Sequence, residues 1–308
     1  MTGRFLLRRT LQALIVLAGA SIISFVILRM IPGDPAVLML PESATPQEVQ
    51  ALRSSMGLDR PVWVQYGTYM KQMVVGNFGV SLSRGVPVGK LLVQHLPNTA
   101  LLAVTAEVIA LVISVPLGLM AGARQNSLFD YTTSVITLLG QSVPTFWLGM
   151  MLILVFAVIL HVVPTSGFGT WKHLILPSVT LAVYNLALTA RLMRSSTLDA
   201  YNNDYVRTAR AKGLSESTVL FKHVFRNAVI PTITMVGLDF GSLLGGAIIT
   251  ETLFSWPGLG FLTVQSIFFR DYPVVQGLVF LSAVTFVVIN LIVDVLYAVV
   301  DPRIVVDS

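Results

Sequence analysis

The sequence predicts an all-α membrane protein that crosses the bilayer several times. Hydrophobic residues make up 55% of its 308 residues and charged residues only 11%, too few to cover a soluble surface. Several apolar runs reach the ~20 residues that a helix needs to cross the hydrocarbon, whereas short strands of alternating polarity are absent. We therefore expect a polytopic helical protein in the lipid bilayer.

Six apolar runs are candidates for transmembrane helices. The first contains Ala-Gly-Ala at positions 18–20, which permits the rival interpretation of a cleaved signal peptide. Eight mostly apolar residues follow this tripeptide and favour a retained helix instead. Pro116 and Pro144 are expected to kink the second and third spans, because proline removes a backbone hydrogen bond and its ring clashes with the preceding turn. The six runs are Leu11–Leu28, Thr99–Ala121, Tyr131–Leu160, Leu174–Met193, Val229–Ile249 and Val274–Val300.

The spans divide the chain and orient it in the membrane. Six crossings place both termini on one side, and that side carries twelve of the twenty Lys and Arg residues. Because short cytoplasmic loops are enriched in positive charge, both termini are predicted to be cytoplasmic. The predicted parts are an N-terminal segment with the first helix (1–30), an extracytoplasmic helical insertion (31–97), a five-helix core (98–300) and a C-terminal tail (301–308).

The insertion contains signals for two short helices. Thr45 suits an N-cap, Glu48 completes a capping box and Gly57 stops the first helix. A second helix is expected from about residue 61 to residue 75. Its apolar face is more typical of packing against the membrane helices than of a ligand site, and it carries Trp63, Tyr66, Met70 and Met73.

The loop at 197–231 concentrates basic residues between two spans. A helix is predicted from Tyr205 to Lys212 and ends at Gly213; Ser215 then caps a second helix, which Pro231 should interrupt. The side chains of residues 207 and 210 share one face of the first helix. Three interpretations are open: a solvated loop that sets topology, a helix-turn-helix DNA reader, or a docking element for a cytoplasmic partner. A loop tied to the membrane at both ends leaves no room for a DNA-binding core, but composition does not choose between the other two.

Four ordered motifs resemble the permease subunits of ABC importers. "RTARAKG" (207–213) with "VIP" (229–231) is similar to their EAA loop, although Arg207 and Thr208 stand where the general pattern has Glu and Ala. The form "YVRTARAKGL" looks like the dipeptide and oligopeptide subgroup. The other three motifs are "PGDP" after the first span, "GLDFGSLLGGAIITETLFSWPGLG" (237–260) and "RDYP" (270–273).

The resemblance implies a type I importer permease fold in the bacterial cytoplasmic membrane. It also implies a complex with a homologous second permease as a heterodimer, two cytoplasmic ATP-binding subunits and an extracytoplasmic substrate-binding protein. In this family the first helix of the EAA loop is a coupling helix that sits in a groove of the ATPase. The residues that match it are Tyr205, Arg207, Ala209, Arg210, Gly213 and Leu214.

Polar residues at membrane depth are candidates for the translocation pathway, since ionisable groups there are costly. We expect Glu107 and Asp239 to face an interior cavity; the alternative is that they form hydrogen bonds with neighbouring helices. The candidates are Glu107, Gln141, Asp239 and Asn290. By resemblance, an outer gate would include Pro257, Gly258, Gly260, Arg270 and Asp271.

The chain shows no sign of its own catalytic site. "GVPVGKL" (85–91) lacks the spacing and the Ser or Thr of a P-loop, so ATP and Mg are expected on the partner ATPases. The chain has no cysteine, and its four histidines are too dispersed to suggest a metal site. Peptides are the expected cargo. The alternatives are a permease of the same family for glutathione or for nickel and other metal chelates, an ATP-independent secondary transporter or channel, and an intramembrane enzyme.

Overall fold

The computed structural model describes residues 3–30, 35–38, 40, 44–55 and 57–300. These residues are mostly helical, and within them the one β-bridge joins Val80 and Pro87. The predicted tail and most of "PGDP" lie outside the described residues. The helices are α1 (Gly3–Met30), α2 (Pro35–Leu38), α3 (Pro46–Ser55), α4 (Val62–Val74), α5 (Val88–Ala123), α6 (Leu128–Ser142), α7 (Thr145–Leu152), α8 (Trp171–Tyr201), α9 (Asp204–Ala211), α10 (Glu216–Thr218), α11 (Phe225–Gly246), α12 (Ile248–Leu253), α13 (Leu259–Phe268) and α14 (Tyr272–Val300), with π-helical segments at Ile153–Ile159 and Val219–Val224.

Two long helices, α5 and α8, form the most extensive helix contact of the described chain. Two glycines of α5 make this close approach possible. A Cβ at Gly118 would lie 2.7 Å from the Cβ of Met193, and one at Gly122 would lie 2.6 Å from the Cβ of Thr197. Side chains at these positions would therefore force the two helices apart.

The chain breaks its helix at Pro144 but not at Pro116 or Pro231. At Pro144 the third predicted span breaks into two helices at an angle of 100°, which confirms the predicted kink. In contrast, α5 continues without a break through Pro116. The prediction that Pro231 interrupts its helix was wrong, because α11 runs through it. A single proline removes one backbone bond, and neighbouring helices can hold such a helix together; buried Ala228 and Thr232 on either side of Pro231 are packed in this way.

The number of spans is partly defined by length and composition. Four described helices are long and apolar enough to cross a membrane, namely α1, α5, α8 and α14, and the bent α6–α7 pair counts as a fifth. The remaining predicted span, Val229–Ile249, corresponds to α11, which is not in that set. The count of six therefore stays a prediction, whereas the all-α class is confirmed.

The insertion forms the two helices that its sequence predicts. In the capping box of α3, the backbone N–H of Thr45 donates to the Glu48 carboxylate at 2.8 Å. The face of α4 packs against α1 through Tyr66, whose hydroxyl lies 2.9 Å from the Ser21 hydroxyl. Trp63 was wrongly placed in this contact: it is 76% exposed, because it lies one turn nearer the start of α4 than the residues that pack.

Candidate functional site

The predicted helix and glycine turn after α8 are present. α9 begins three residues after α8 ends, and the Asn203 amide donates to the Asp199 carbonyl at 2.8 Å, so it fastens the junction. Gly213 has a φ of +75°, which an L side chain rarely adopts. Its N–H donates to the Arg210 carbonyl at 2.9 Å. Glycine therefore ends this helix as the sequence predicts.

The inner face of α9 is packed tightly onto the ends of the long helices. Val206 is fully buried and Ala209 is 4% exposed, in one cluster with Met193 of α8 and Leu119 of α5. Tyr205 is partly buried against the same cluster. Ala209 therefore lies in the contact between α9 and the helix bundle rather than on an outward surface.

The outer face of α9 is charged and accessible. The Arg207 side chain is 81% exposed and lies 3.6 Å from the Asp204 carboxylate. Arg210 donates two hydrogen bonds to Glu216, at 2.7 and 3.0 Å, and its guanidinium lies 5.4 Å from the centre of the Tyr201 ring. The hydrogen bonds from Arg210 lower the pKa of Glu216. Leu214, 40% exposed, adds an apolar contact point beside these charges.

Two of the predicted pathway residues lie on helices that contact each other, Glu107 on α5 and Asp239 on α11. Glu107 of α5 is 4% exposed, and one of its carboxyl oxygens accepts a hydrogen bond from the Asn185 amide at 3.2 Å. Among the described residues, its other oxygen has no hydrogen-bond partner, and neither has one buried carboxyl oxygen of Asp239. Asp239 lies within electrostatic range of Glu107. The contact with Asn185 ties α5 to α8, and the two orphan oxygens leave acceptors for a donor.

The other two pathway candidates lie on other helices, α6 and α14. Gln141 is half-buried near the end of α6. Asn290 donates to the Phe286 carbonyl of its own helix at 2.8 Å and lines a cleft between α1 and α14 together with Arg9 and Gln12.

The "SWPGLG" region folds around a buried carboxyl group. Glu251 is fully buried; it accepts hydrogen bonds from the Thr99 hydroxyl at 2.7 Å and from the Phe261 backbone N–H at 3.1 Å. A Cβ at Gly258 would collide with the Glu251 carboxyl group. A Cβ at Gly260 would lie 3.0 Å from the same group, so both glycines are needed for the fold of this turn.

Two further hydrogen bonds join this turn to the start of the second predicted span. The Asn98 amide donates to the Pro257 carbonyl at 2.8 Å, and the Trp256 indole N–H donates to the Asn98 carbonyl at 3.0 Å. The turn is therefore fixed to α5 through both the side chain and the backbone of Asn98.

Asp271 anchors the end of the insertion to the start of α14. It is 1% exposed and accepts hydrogen bonds from the Ser81 and Ser83 hydroxyls, at 2.5 and 2.7 Å, and from the backbone N–H groups of Leu82 and Ser83, both at 3.1 Å. Burial alone raises the pKa of Asp271, but these hydrogen bonds outweigh it and hold the pKa below its ordinary value of 3.8. Arg270 has a φ of +51° and is exposed.

Sequence reasoning missed the partners of these acids. Nothing in the sequence pairs Asn185 with Glu107, which lies 78 positions away. Ser81 is 190 positions from Asp271. The buried ion pair between Asp130 and Arg194 was also missed. Within the described residues, no group of three or more His, Cys, Asp or Glu side chains is arranged to hold a metal ion.

Comparison with known proteins supplies the family context of this arrangement. The model of the binding-protein-dependent transport system inner membrane component matches residues 114–306, and the model of its N-terminal region matches residues 2–103. The oligopeptide transport system permease protein AppB of Bacillus subtilis is 44% identical, over 97% of this chain and 98% of the relative. The dipeptide transport system permease protein DppB of Alkalihalophilus pseudofirmus is 41% identical, with the same coverage of both chains.

A third relative and one solved structure extend these similarities. The glutathione transport system permease protein GsiC of Escherichia coli is 42% identical, over 97% of this chain and 98% of the relative. In an inward-facing structure of the MetNI methionine ABC transporter, one chain aligns with a TM-score of 0.58 at 19% identity, over 68% of this chain and 96% of that one. At this identity the match shows a shared fold.

Proposed function

This chain belongs to the family of binding-protein-dependent transport system inner membrane components, and we propose that it is the permease subunit of an ATP-driven importer of dipeptides or oligopeptides. The observation that carries the proposal is its 44% identity, over nearly the full length of both chains, with an oligopeptide permease. A dipeptide permease at 41% identity supports the same cargo class. As a member of this family, the chain is a multi-pass protein of the inner membrane.

The proposed coupling element is α9 with its glycine turn. Its inner face is buried against α5 and α8, while Arg207, Arg210 and Leu214 remain accessible to a partner. A short helix held in this way transmits a push from an ATPase subunit to the spans as a rigid body. The two small residues have different roles: buried Ala209 allows α9 to lie close to α8, and exposed Gly213 ends the helix. Tyr205 fills the same contact.

The complex in which the chain works contains several other subunits. We assign it a homologous second permease, with which it forms a heterodimer, two cytoplasmic ATP-binding subunits that carry ATP and Mg, and an extracytoplasmic substrate-binding protein. This chain supplies half of the pathway and no catalytic group. Nucleic acid is not among its partners.

The orientation follows from the coupling role. α9 must face the cytoplasm to meet an ATPase, which places both chain termini on the same side when six spans are present. The insertion at 31–97 then lies on the extracytoplasmic side, and the tail at 301–308 lies on the cytoplasmic side. The core at 98–300 carries the pathway, although α5 already begins at Val88.

We assign the pathway to the intramembrane polar residues and the outer gate to the "SWPGLG" and "RDYP" turns. Glu107 and Asp239 have orphan acceptor oxygens, which suit the ammonium group of a peptide. Gln141 and Asn290 are assigned to the pathway on their depth alone. In the gate region Pro257, Gly258, Gly260 and Asp271 are held by hydrogen bonds and packing, so Arg270 is the exposed member.

Glutathione is the second candidate cargo, because a glutathione permease is 42% identical to this chain. Uptake assays separate the two. In cells that lack this chain, uptake of labelled dipeptides, a pentapeptide and glutathione is compared with and without the restored gene. Restored peptide uptake supports the proposal, and restored uptake of glutathione alone identifies the second candidate. Restored uptake that persists after the cell's ATP is depleted, and that follows an ion gradient, contradicts an ATP-driven importer.

A further inference from the structure

The ion pair between Asp130 and Arg194 lies where α6 starts and where α8 approaches α9. Both the Nε and the second guanidinium nitrogen of Arg194 donate to the Asp130 carboxylate, the latter at 2.7 Å. The side chain of Asp130 is 3% exposed and that of Arg194 is 29% exposed. The contact is therefore a two-point, largely buried link, in contrast to the exposed pairs on α9.

The local structure holds the Asp130 carboxylate ready for this contact. Asp130 lies in the first turn of α6, and the Ser127 hydroxyl caps the helix by accepting the Asp130 backbone N–H at 3.2 Å. The Asn126 backbone N–H donates to the same carboxylate at 3.0 Å. The loop between α5 and α6 and the start of α6 are thus fixed to one carboxylate.

The Asp130–Arg194 ion pair lies at one end of a longer contact between α6 and α8. A Cβ at Gly140, ten residues further along α6, would lie 3.5 Å from both Val183 and Ala187 of α8. Residues 130 and 194 meet at one end of this antiparallel contact, and residues 140 and 183 meet at the other. Apolar packing alone permits α6 to slide along α8, whereas a two-point hydrogen-bonded pair fixes the register between the two helices.

The proposed coupling element, α9, follows the end of α8 that carries Arg194. α8 continues from Arg194 to Tyr201, and α9 starts at Asp204. Met193, the neighbour of Arg194, is fully buried in the cluster that also holds Val206 of α9. A displacement of α9 therefore reaches α8 directly beside the ion pair.

We propose that Asp130 and Arg194 are positioning residues that carry the movement of α9 and α8 into α6, so that these helices move as one unit during each ATP cycle. The inference rests on the proposed function and adds a third helix to its mechanical path. α6 leads into the 100° bend at Pro144, and α7 beyond it packs against α12, the helix that carries Glu251. The ion pair is therefore the first contact in a series that leads from α9 through α6 and α7 to α12.

The test compares transport and ATP hydrolysis in the complete complex reconstituted in liposomes. Asp130→Asn keeps the shape of the side chain but removes its charge, and the reversed pair Asp130→Arg with Arg194→Asp restores complementary charges. Glu48→Gln is the matched control, because Glu48 is an exposed carboxylate of the insertion. We expect Asp130→Asn to assemble and hydrolyse ATP, but to transport at least about tenfold less substrate per ATP hydrolysed. The reversed pair should recover part of this ratio, and the control should leave it unchanged.

Arg194→Lys keeps the test decisive if Asp130→Asn fails to assemble. It retains the charge but loses the two-point geometry, and an intermediate fall in transport per ATP supports the proposal. An unchanged ratio in an assembled Asp130→Asn or Arg194→Lys complex overturns it. A parallel fall of transport and hydrolysis at constant ratio overturns it too, because that pattern indicates a purely structural pair. If the wild-type complex shows no ATP-dependent transport, the proposed function itself has failed.

Discussion

Replacing Asp271 by asparagine should release the end of the insertion from α14. The carboxylate accepts four hydrogen bonds, from two serine hydroxyls and two backbone N–H groups. An asparagine oxygen accepts about two, and its NH₂ group faces the remaining donors. Losing two bonds to a charged group, at about 1.5 kcal/mol each, gives about 3 kcal/mol in all. That free energy corresponds to a roughly 100-fold increase in local opening.

Amide hydrogen exchange of the segment that Asp271 holds measures this opening directly. The backbone N–H groups of Leu82 and Ser83 themselves donate to the Asp271 carboxylate, so their protection from exchange reports how often this contact opens. We expect the Asp271→Asn variant to exchange roughly 100-fold faster at these two amides. Asp59→Asn, which changes an exposed carboxylate of the insertion, is the control and should leave them unchanged. Unaltered protection in Asp271→Asn would refute the assignment of Asp271 as the anchor.

The stability of the contact between Asp271 and the insertion should depend on pH in a defined direction. Because the folded pKa of Asp271 lies below its ordinary value of 3.8, the carboxylate stabilises the fold fully above that value. This stabilisation is lost as the pH falls below 3.8 and passes the lowered folded pKa. Protection of Leu82 and Ser83, corrected for intrinsic exchange, should therefore be constant from about pH 5 to about pH 7 and fall at lower pH. Constant protection below pH 3.8 would contradict the role of the charge.

Three further variants, two single and one double, test other parts of the structure. Gly258→Ala places a methyl group against the hydrogen-bonded Glu251 carboxyl and should lower the free energy of unfolding by about 2 kcal/mol, measured by thermal denaturation in detergent. Gly213→Ala forces a side chain into a φ of +75°, at a cost of about 1 kcal/mol, and should weaken ATPase association about fivefold in a pull-down titration. Glu107→Gln with Asp239→Asn should reduce peptide uptake at least about tenfold while ATPase subunits still co-purify, since the charged acceptors for a peptide ammonium are gone.

Each of these three variants has a matched control. Gly67→Ala adds a methyl group inside α4 where no side chain or other helix lies within 4 Å, and its thermal stability should equal or exceed that of the wild type, because alanine favours a helix more than glycine does. Gly76→Ala imposes a similar strain at a φ of +73°, but in the insertion, so ATPase association should be unaffected. Glu48→Gln neutralises an exposed carboxylate and should preserve uptake. Equal effects of a variant and its control, or normal uptake in the double acid variant, would sink the corresponding assignment.

The sequence predicted those features that depend on local chemistry. The Thr45–Glu48 capping box, the break at Pro144 and the glycine turn at Gly213 each follow from residues within one or two helical turns. Pro231 was mispredicted because local rules count its missing hydrogen bond but not the packing of Ala228 and Thr232.

The contacts that organise the site join residues distant in the chain. Glu251 meets Thr99 across 152 positions, and Arg194 meets Asp130 across 64. Such pairs depend on which helices become neighbours, and the hydropathy of single segments carries no information about this. The motifs of the family therefore indicated where the site lies, and the structure was needed to show which side chains hold it together.

Affinity purification tests most directly whether α9 docks an ATPase. The wild-type chain and a variant with Gly213→Pro and Arg207→Glu are purified from their native membranes in mild detergent, and accompanying proteins are identified by mass spectrometry. We predict that the wild type brings down a P-loop ATPase and a second permease, and that the variant retains the permease but loses the ATPase. A wild-type chain that comes out alone or only with copies of itself, with no ATPase at any detergent strength, would contradict the account.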